Sequence, residues 1–231
     1  MMPSMSTDNQ IICVIPTLNA EATLPATLAS LAGVPVVVAD GGSVDGTKAF
    51  VQDAGLKLVT APRGRGQQLG VGAQIALADG AQWLLFLHAD TVLEEGWLKE
   101  VEAFTSDPAH ADKAAVFNFR VDDVGAAARR LERLVAWRTR TLALPYGDQG
   151  LLISARFYES LGGYKPLELM EDVDLVRRIG GKRLHAFKSA ATTSANKFRQ
   201  AGYLRRSLRN ISCLGLYFLG VPVRWIARIY G

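Results

Sequence analysis

Residues 83–90 of the chain read WLLFLHAD and decide how the remaining sequence is interpreted. The first five form an apolar run that is too short and too uniform for a surface helix, which predicts a strand buried on both faces. A histidine and a carboxylate, His88 and Asp90, come directly afterwards. Ligands of open parallel sheets bind beyond the carboxyl ends of the strands, so these two residues are the first candidates for a functional site.

Three similar apolar runs precede this one, at residues 11–15, 35–39 and 56–60. Helix-like stretches lie between and after the runs, at residues 21–31, 46–54, 67–78 and 94–104. This alternation predicts an α/β fold with an open, mostly parallel, Rossmann-like sheet, helices on both faces and right-handed crossovers. The second half is less regular, with strands predicted at 115–121 and 150–154 and helices at 125–142 and 173–179.

The other three predicted strands also end in polar residues or glycines. The first is followed by Pro16-Thr17-Leu18-Asn19-Ala20-Glu21, the second by Asp40-Gly41-Gly42-Ser43, and the third by Arg63-Gly64-Arg65-Gly66. Glycines let the backbone approach a ligand closely, and a carboxylate can accept hydrogen bonds from a base or a ribose. Because these strand ends meet at one edge of the sheet, the sequence predicts a ligand site along that edge.

Several candidates also have a purely structural interpretation. Asp90 can bind a divalent cation whose other ligands are phosphate oxygens, or it can cap the next helix. The pair Glu171-Asp172 can supply a general base or only a capping acid at a helix start. The segment Tyr146-Gly147-Asp148-Gln149 suits either a tight turn or a ligand loop.

The segment Gly64-Arg65-Gly66-Gln67-Gln68-Leu69-Gly70 introduces a second function class. A Gly-x-Gly-x-x-x-Gly pattern between a strand and a helix can hold a pyrophosphate, as in NAD(P)-dependent reductases. The pattern follows the third strand and not the first, however, and no Tyr-x-x-x-Lys pair is present to supply a proton donor. We interpret Arg63 and Arg65 as charges that face phosphate, with a surface role as the alternative.

Composition and charge exclude some classes of protein. A chain with 49% apolar residues is not disordered, and two cysteines, both within apolar runs, do not make a disulfide scaffold. Residues 175–231 hold twelve of the 26 Lys and Arg and none of the 22 Asp and Glu, so a basic tail follows an acidic body. We expect no nucleic acid partner, because aromatic and basic residues do not interleave on a sheet face or a recognition helix.

The tail contains an eleven-residue apolar run at residues 211–221, far short of the roughly 20 residues that span a bilayer. Arginines on both sides, with Trp225 and Tyr230, suit peripheral contact with a membrane through residues 205–231. A homodimer interface and a helix closing over the core are the alternatives. Residues 1–8 lack a basic region followed by an apolar stretch, so we expect no signal peptide and a cytoplasmic location, with the inner membrane face as an option.

Together these motifs resemble the family 2 inverting glycosyltransferases of the GT-A fold, over about residues 10–230. The matching stretches are Pro16-Thr17-Leu18-Asn19 with Glu21, Asp40-Gly41-Gly42-Ser43-x-Asp45-Gly46-Thr47, His88-Ala89-Asp90 and Met170-Glu171-Asp172. A narrower resemblance is to a small bacterial subgroup, some of whose members are associated with arsenosugar biosynthesis. It rests on Gly64-Arg65, Gln68, Gly72-Ala73, Tyr146-Gly147-Asp148-Gln149-Gly150 and Thr193-Ser194.

The resemblance implies that one sugar moves from a nucleotide-diphosphate sugar, most often a uridine one, to an acceptor hydroxyl, with Mn²⁺ or Mg²⁺ bridging the diphosphate. Asp90 would bind the metal, Asp40 would contact the base, and Asp172, accompanied by Glu171, would be the general base of a single inverting displacement. The acceptor would meet Tyr146, Asp148 and Gln149. The residues expected around the nucleotide sugar are Pro16, Thr17, Leu18, Glu21, Asp40, Gly41, Gly64, Arg65, Gln68, His88, Ala89 and Asp90.

The sequence departs from the family pattern in several places, two of which concern metal binding and polymer synthesis. His88 replaces the first acid of the usual Asp-x-Asp, so metal binding would rest on one carboxylate. Residues 175–179, LVRRI, replace the Gln-x-x-Arg-Trp of processive members, so we expect a single transfer and no polymer synthesis.

We expect a GT-A domain over residues 10–195, with a nucleotide-binding half at 10–105 and an acceptor half at 106–195. A basic amphipathic helical tail is expected to pack on it over residues 196–231. Two other functions stay open, an NAD(P)-dependent reductase and a non-catalytic nucleotide-sugar-binding protein.

Overall fold

The computed structural model describes residues 10–31 and 33–230 of the chain. Residues 1–9, where we expect no signal peptide, lie outside the described residues, as do residues 32 and 231. Strands and helices alternate regularly in the first half. They are β1 (Ile11–Thr17), α1 (Leu24–Ser30), β2 (Val36–Asp40), α2 (Thr47–Asp53), β3 (Lys57–Thr60), α3 (Arg65–Ala78), β4 (Trp83–Phe86), β5 (Thr91–Leu93) and α4 (Trp97–Thr105).

The second half adds three strands and six helices to the described part of the chain. They are β6 (Ala114–Val121), α5 (Ala126–Leu142), β7 (Leu151–Ser154), α6 (Ala155–Ser160), α7 (Glu171–Ile179), β8 (Leu184–Thr193), α8 (Asn196–Ala201), α9 (Tyr203–Phe218) and α10 (Val223–Tyr230). The last three helices form the tail, as the sequence predicts.

The described strands form one sheet in the order β3-β2-β1-β4-β7-β6-β8-β5. Neighbours among β1 to β4 are parallel, and β6 is parallel to β8. Strand β7 runs antiparallel to both β4 and β6, and β5 runs antiparallel to β8. The predicted α/β fold with a mostly parallel sheet is therefore confirmed, and its four parallel strands bring their carboxyl ends to one edge.

Strand β1 shows why its apolar run lacks the alternation of a half-exposed strand. Ile11, Cys13 and Ile15 point into a core with α1, α2 and α4. Ile12 and Val14 point into a second core with α3 and α7 on the other face. Both faces are covered by helices, so every position of the strand favours an apolar side chain.

The tail is anchored directly beside the start of α7. Cys213 of α9 and Ile226 of α10 are fully buried against Leu169, Met170 and Val173. None of the helices in the described ranges is both long and apolar enough to cross a membrane.

Candidate active site

The loop after β2 is organised by the carboxylate of Asp40, which is only 1% exposed. Its oxygens accept hydrogen bonds from the Thr17 hydroxyl at 3.0 Å, from the backbone N–H groups of Gly42 and Ser43, and from the Ser43 hydroxyl. Burial raises the pKa of Asp40, but these hydrogen bonds outweigh it and leave the pKa below its ordinary value. The carboxylate thus holds the loop, and the structure does not bring it to the cavities described below.

The buried amide of Gln68, on α3, fixes the point where β1 and β2 separate. Its Nε2 donates to the carbonyl oxygens of Thr17 at 2.7 Å and Ala39 at 2.9 Å. A Cβ on Gly41 would lie 2.9 Å from this amide, so the position requires glycine or a shift of Gln68. Gly41 is therefore needed for close packing behind the strand ends.

Glu21 also connects loops and does not line a cavity. Its Oε2 accepts a hydrogen bond from the backbone N–H of Gly46 at 2.9 Å, and its own N–H donates to Asp45. The loops after β1 and β2 are thereby linked to each other. Three of the twelve residues expected around a nucleotide sugar, Glu21, Asp40 and Gly41, therefore stabilise these loops and line neither cavity.

The other nine expected residues line a cavity of about 500 Å³ at the carboxyl ends of β1, β3 and β4, which we call the larger cavity. They are Pro16, Thr17, Leu18, Gly64, Arg65, Gln68, His88, Ala89 and Asp90. Its wall also contains five residues outside the twelve expected around the nucleotide sugar: Asn19, Ala20, Thr23, Ser194 and Asn196. Arg63 completes the lining and adds positive charge beside Arg65.

A second cavity, of about 110 Å³, adjoins the larger one, and we call it the smaller cavity. Arg65, His88, Asp90 and Ser194 line both cavities, so the two meet at the end of β4. Tyr146, Gly147, Asp148 and Asp172 line only the smaller one, together with Leu169, Met170, Thr193, Phe198, Arg206, Asn210 and Tyr230. The strand-end residues and the acid of α7 therefore face connected space.

Asp172 is held at the first turn of α7 by two backbone groups. Its Oδ2 accepts a hydrogen bond from the N–H of Gly147 at 2.8 Å, and its Oδ1 accepts one from the N–H of Val173 at 2.7 Å. Met170, two residues before Asp172, has a left-handed backbone conformation with φ 64°. This conformation costs a non-glycine residue energy and often occurs at functional sites. This turn directs Asp172 to the smaller cavity.

Glu171 is placed differently from its neighbour, because it is 1% exposed and lines neither cavity. Its Oε1 pairs with Nε of Arg65 at 2.8 Å, and its Oε2 has no hydrogen-bond partner among the described residues. Burial raises the pKa of Glu171 to about 7, although Arg65 acts to lower it. Glu171 therefore positions Arg65, which differs from the catalytic role expected beside Asp172.

The loop after α5 divides its expected acceptor residues between the cavity and the core. Tyr146 and Asp148 line the smaller cavity, and burial raises the pKa of Asp148 to about 6. Gln149 is buried instead: it accepts from the Thr139 hydroxyl at 2.9 Å and donates to the Phe117 carbonyl at 3.0 Å. Gln149 therefore does not line the cavity where the acceptor contact was expected. Its amide connects α5 to β6 instead.

The glycine pattern at residues 64–70 also has a packing explanation. A Cβ on Gly66 would collide with the backbone oxygen of Lys165, so this glycine lets α3 approach the segment before α7. Gly70 has only an ordinary contact with Tyr164. Only Gly64 of the three glycines lines the larger cavity, which does not favour the pyrophosphate cradle of a reductase.

Among the described residues there is no group of three or more His, Cys, Asp or Glu side chains arranged to hold a metal ion. His88 and Asp90 nevertheless share the strand end where the two cavities meet. Hard cations such as Mg²⁺ are often bound by one or two carboxylates together with substrate phosphates. This pair fits a cation that shares its ligands with a bound phosphate group.

Several solved structures share the fold at low sequence identity. TarS of S. aureus, residues 1–349 in complex with UDP, matches with a TM-score of 0.60 at 19% identity, over 87% of this chain and 65% of that chain. Glucosyl-3-phosphoglycerate synthase of Mycobacterium tuberculosis, in complex with Mn²⁺, UDP and glucosyl-3-phosphoglycerate, matches with a TM-score of 0.55 at 18% identity, over 96% and 87%. GalNAc-T7 with UDP, GalNAc and Mn²⁺ matches with a TM-score of 0.61 at 18% identity, over 80% of this chain and 44% of that chain.

The chain spans less than two thirds of the first of these relatives, 39% of the longer TarS chain and 65% of its 1–349 fragment. No curated protein matches the sequence significantly. The sequence model for glycosyl transferase family 2 matches residues 12–158, more than half of the chain. The matched part contains the four parallel strands and most of the larger cavity. The protein therefore belongs to glycosyl transferase family 2.

Proposed function

We propose that the protein transfers one sugar from a UDP-sugar to an acceptor hydroxyl in a single displacement that inverts the anomeric carbon. One observation carries the proposal: a nucleotide-sized cavity and a smaller cavity meet at His88 and Asp90, and Asp172 lies on the side of the smaller one. Residues 10–105 would bind the donor, residues 106–195 would supply the acceptor side, and residues 196–231 would cover it.

The larger cavity suits the donor in size and charge. Its volume of about 500 Å³ lies within the range of roughly 300–1,000 Å³ that is usual for small-molecule sites. Arg63 and Arg65 lie at the amino-terminal end of α3, where both their charge and the helix dipole favour a diphosphate. TarS and glucosyl-3-phosphoglycerate synthase, which share the fold, have been solved with UDP.

We further propose that Mn²⁺ or Mg²⁺ accompanies the diphosphate, bound by Asp90 with His88 beside it. When bound, such an ion acts as a Lewis acid that neutralises charge on the departing diphosphate. Arg65 adds a fixed positive charge at the junction of the cavities, and the ion pair with Glu171 at 2.8 Å keeps it there.

Asp172 is the proposed general base. Its two backbone hydrogen bonds fix the carboxylate, and it lines the cavity where the acceptor hydroxyl would lie. The carboxylate takes the hydroxyl proton while the acceptor oxygen forms its bond to the anomeric carbon and the bond to the diphosphate oxygen breaks. Attack opposite the leaving group inverts the configuration, and UDP leaves with the electron pair.

Two finer parts of the proposal are supported by sequence motifs or by exposed side chains alone. Membership of the subgroup associated with arsenosugar biosynthesis rests on the sequence motifs at residues 64–73, 146–150 and 193–194. Contact of the tail with the cytoplasmic membrane face rests on exposed leucines and isoleucines beside arginines on α9 and α10, and a homodimer would use the same face.

Calorimetric titration tests the donor site. We expect UDP to bind in the presence of Mn²⁺, with the affinity lost in Asp90→Ala and kept in Asp112→Ala, whose side chain is exposed and far along the sequence from the strand end. Binding of NAD without metal, equal in wild type and Asp90→Ala, would contradict the proposal. Asp172→Asn should keep UDP binding and lose about 10²-fold or more in sugar transfer, because only the base is removed. Unchanged UDP binding with no transfer to any acceptor by the wild type would favour the non-catalytic alternative.

A further inference from the structure

The tail contributes polar side chains to the wall of the smaller cavity. Arg206 and Asn210 of α9 and Tyr230 of α10 line it. Nε of Arg206 and Oδ1 of Asn210 are buried without a hydrogen-bond partner among the described residues. A buried donor or acceptor that stays unpaired costs about 1–3 kcal/mol, so such atoms usually indicate a missing partner.

These two atoms belong to a larger group concentrated at this cavity. Nine buried side-chain polar atoms of the described residues have no partner, and two of these belong to threonines elsewhere, Thr27 and Thr91. The other seven atoms belong to six residues that line the smaller cavity or contact its lining, with two of the atoms on Arg138. The six residues are Arg138, Asp148, Glu171, Arg206, Arg209 and Asn210. Arg138 lies over the ring of Tyr146 at 3.5 Å, and Arg209 over that of Tyr230 at 4.8 Å.

The tail cannot neutralise these arginines itself, because residues 175–231 contain no Asp or Glu. The acids that line the cavity, Asp90, Asp148 and Asp172, all precede the tail in the chain, and Asp172 accepts hydrogen bonds from Gly147 and Val173. These arginines are half-buried, but a buried N–H group without a hydrogen-bond partner still costs free energy. An anion from outside the chain would supply the missing acceptor to the N–H of Arg206, and a hydroxyl on the same molecule would supply a donor to Oδ1 of Asn210.

Arg206 has the geometry of an anion receptor. Its guanidinium lies over the ring of Phe198 at 4.9 Å, and its Nε has no hydrogen-bond partner among the described residues. Asn210 follows four positions later, so both side chains lie on the same face of α9. The N–H of Arg206 suits an oxygen of a phosphate or a carboxylate, whereas Oδ1 of Asn210 accepts and suits a hydroxyl of the same molecule.

We propose that the acceptor is a small hydroxy compound that carries a phosphate or carboxylate group, that Arg206 binds this group in the smaller cavity, and that Oδ1 of Asn210 accepts a hydrogen bond from a hydroxyl of the same compound. The inference rests on the proposed function, since it assigns the hydroxyl end of the same molecule to Asp172. A volume of about 110 Å³ admits a small anionic head and excludes a second nucleotide.

Binding to the complete protein tests this assignment. The probes are inorganic phosphate, glycerol 3-phosphate and glycerate, with glycerol as the neutral control, each titrated into the UDP-loaded and the UDP-free protein. We expect glycerol 3-phosphate or glycerate to bind the wild type and to lose about tenfold or more in affinity in Arg206→Gln. Arg205→Gln, an exposed neighbour on the same helix, should bind like the wild type. The preferred probe distinguishes a phosphate from a carboxylate site.

The outcomes separate this proposal from the donor site. If Arg206→Gln weakens UDP binding and leaves glycerol 3-phosphate and glycerate unaffected, Arg206 serves the donor diphosphate and the proposal is wrong. It is also wrong if neither organic anion binds the wild type more tightly than glycerol. Anion binding that persists when UDP does not bind would support the anion site and contradict the donor site. Arg206→Lys, which keeps the charge but not the fork of N–H groups, should recover part of the affinity and shows that a folded protein is measured.

Discussion

Gly147 lies at the closest approach between the strand end and helix α7. Its N–H donates to Asp172 at 2.8 Å, and a Cβ at this position would lie 2.7 Å from Nε2 of His88 and 3.6 Å from Oδ2 of Asp172. The glycine therefore sets the spacing between a residue proposed for the metal side and the proposed base. Small displacements of such groups reduce transfer rates strongly, because the reacting atoms need near-contact geometry.

We expect Gly147→Ala to lower sugar transfer at least about tenfold, with a cost of about 1–3 kcal/mol in folding stability from overpacking. Initial rates of UDP release and chemical denaturation measure the two effects. Gly215→Ala is the matched control, because its Cβ would meet no atom within 4 Å on α9. Equal rates for Gly147→Ala and the wild type would show that the spacing is not critical.

Glu171 predicts a pH dependence of stability. Its pKa is about 7 in the folded protein, above the ordinary value of 4.5, because burial disfavours the charged form. The folded state therefore binds this proton more tightly than the unfolded state does. The contribution of Glu171 to stability is fully present below about pH 4.5 and is lost as the pH rises through about 7.

Denaturation of the wild type and of Glu171→Gln at pH 5 and pH 8 tests this prediction. Between these values the wild type should lose on the order of 1–3 kcal/mol relative to the variant, since glutamine does not titrate. Glu168→Gln, three residues earlier and outside both cavities, should follow the wild type. A wild type and a Glu171→Gln variant with parallel pH profiles would contradict the raised pKa.

Among the elements, the regular half of the fold was predictable because its strands are covered on both faces. The predicted run at residues 83–87 corresponds to β4, and the helix predicted at 125–142 corresponds to α5. Strand β8 was not predicted, because its sequence LHAFKSAATT mixes exposed, charged and small residues and is stabilised by pairing with the distant β6. Strand β5 has three residues and no pattern of its own.

The candidate site was predictable to the level of the sheet edge and no further. A carboxylate after a strand can bind a ligand or hold its own loop, and only the hydrogen bonds of Asp40 show that it holds the loop. The tail residues escaped prediction for another reason. Arg206 and Asn210 lie four apart on a helix like any solvated pair, and only tertiary packing brings them to the cavity.

Helix α3 is tied to the sheet by Gln68, which joins it to both Thr17 and Ala39. In Gln68→Leu the two carbonyl oxygens lose their buried donor at similar side-chain volume. We expect a loss of about 2–4 kcal/mol in the free energy of unfolding and weaker UDP binding, since the strand ends would separate. Gln74→Leu, exposed on the same helix, is the control in the same denaturation and titration experiments. An unchanged unfolding free energy for Gln68→Leu would show that water replaces the amide.

At the scale of the molecule, the tail presents two opposite faces. One face buries Cys213 against the segment before α7, beside the smaller cavity. The other exposes Leu204 (74%), Leu208 (55%) and Ile211 (52%), spaced by four and three residues so that they share one side of α9. The tail also has exposed arginines, Arg205 and Arg224 among them, and the sequence contains no Asp or Glu after Asp174.

This arrangement predicts that the chain binds anionic membranes through the tail. In flotation with phosphatidylglycerol vesicles, Leu204→Ser combined with Leu208→Ser should lower binding about tenfold or more, because burial of each leucine contributes about 1.5–3 kcal/mol. Val124→Ser, which changes an even more exposed apolar residue before α5, should bind like the wild type. Raising the salt concentration should weaken binding, because the attraction between arginines and lipid is screened. If the wild type ignores the vesicles and the double variant converts a dimer to a monomer in light scattering, the face joins two copies of the chain instead.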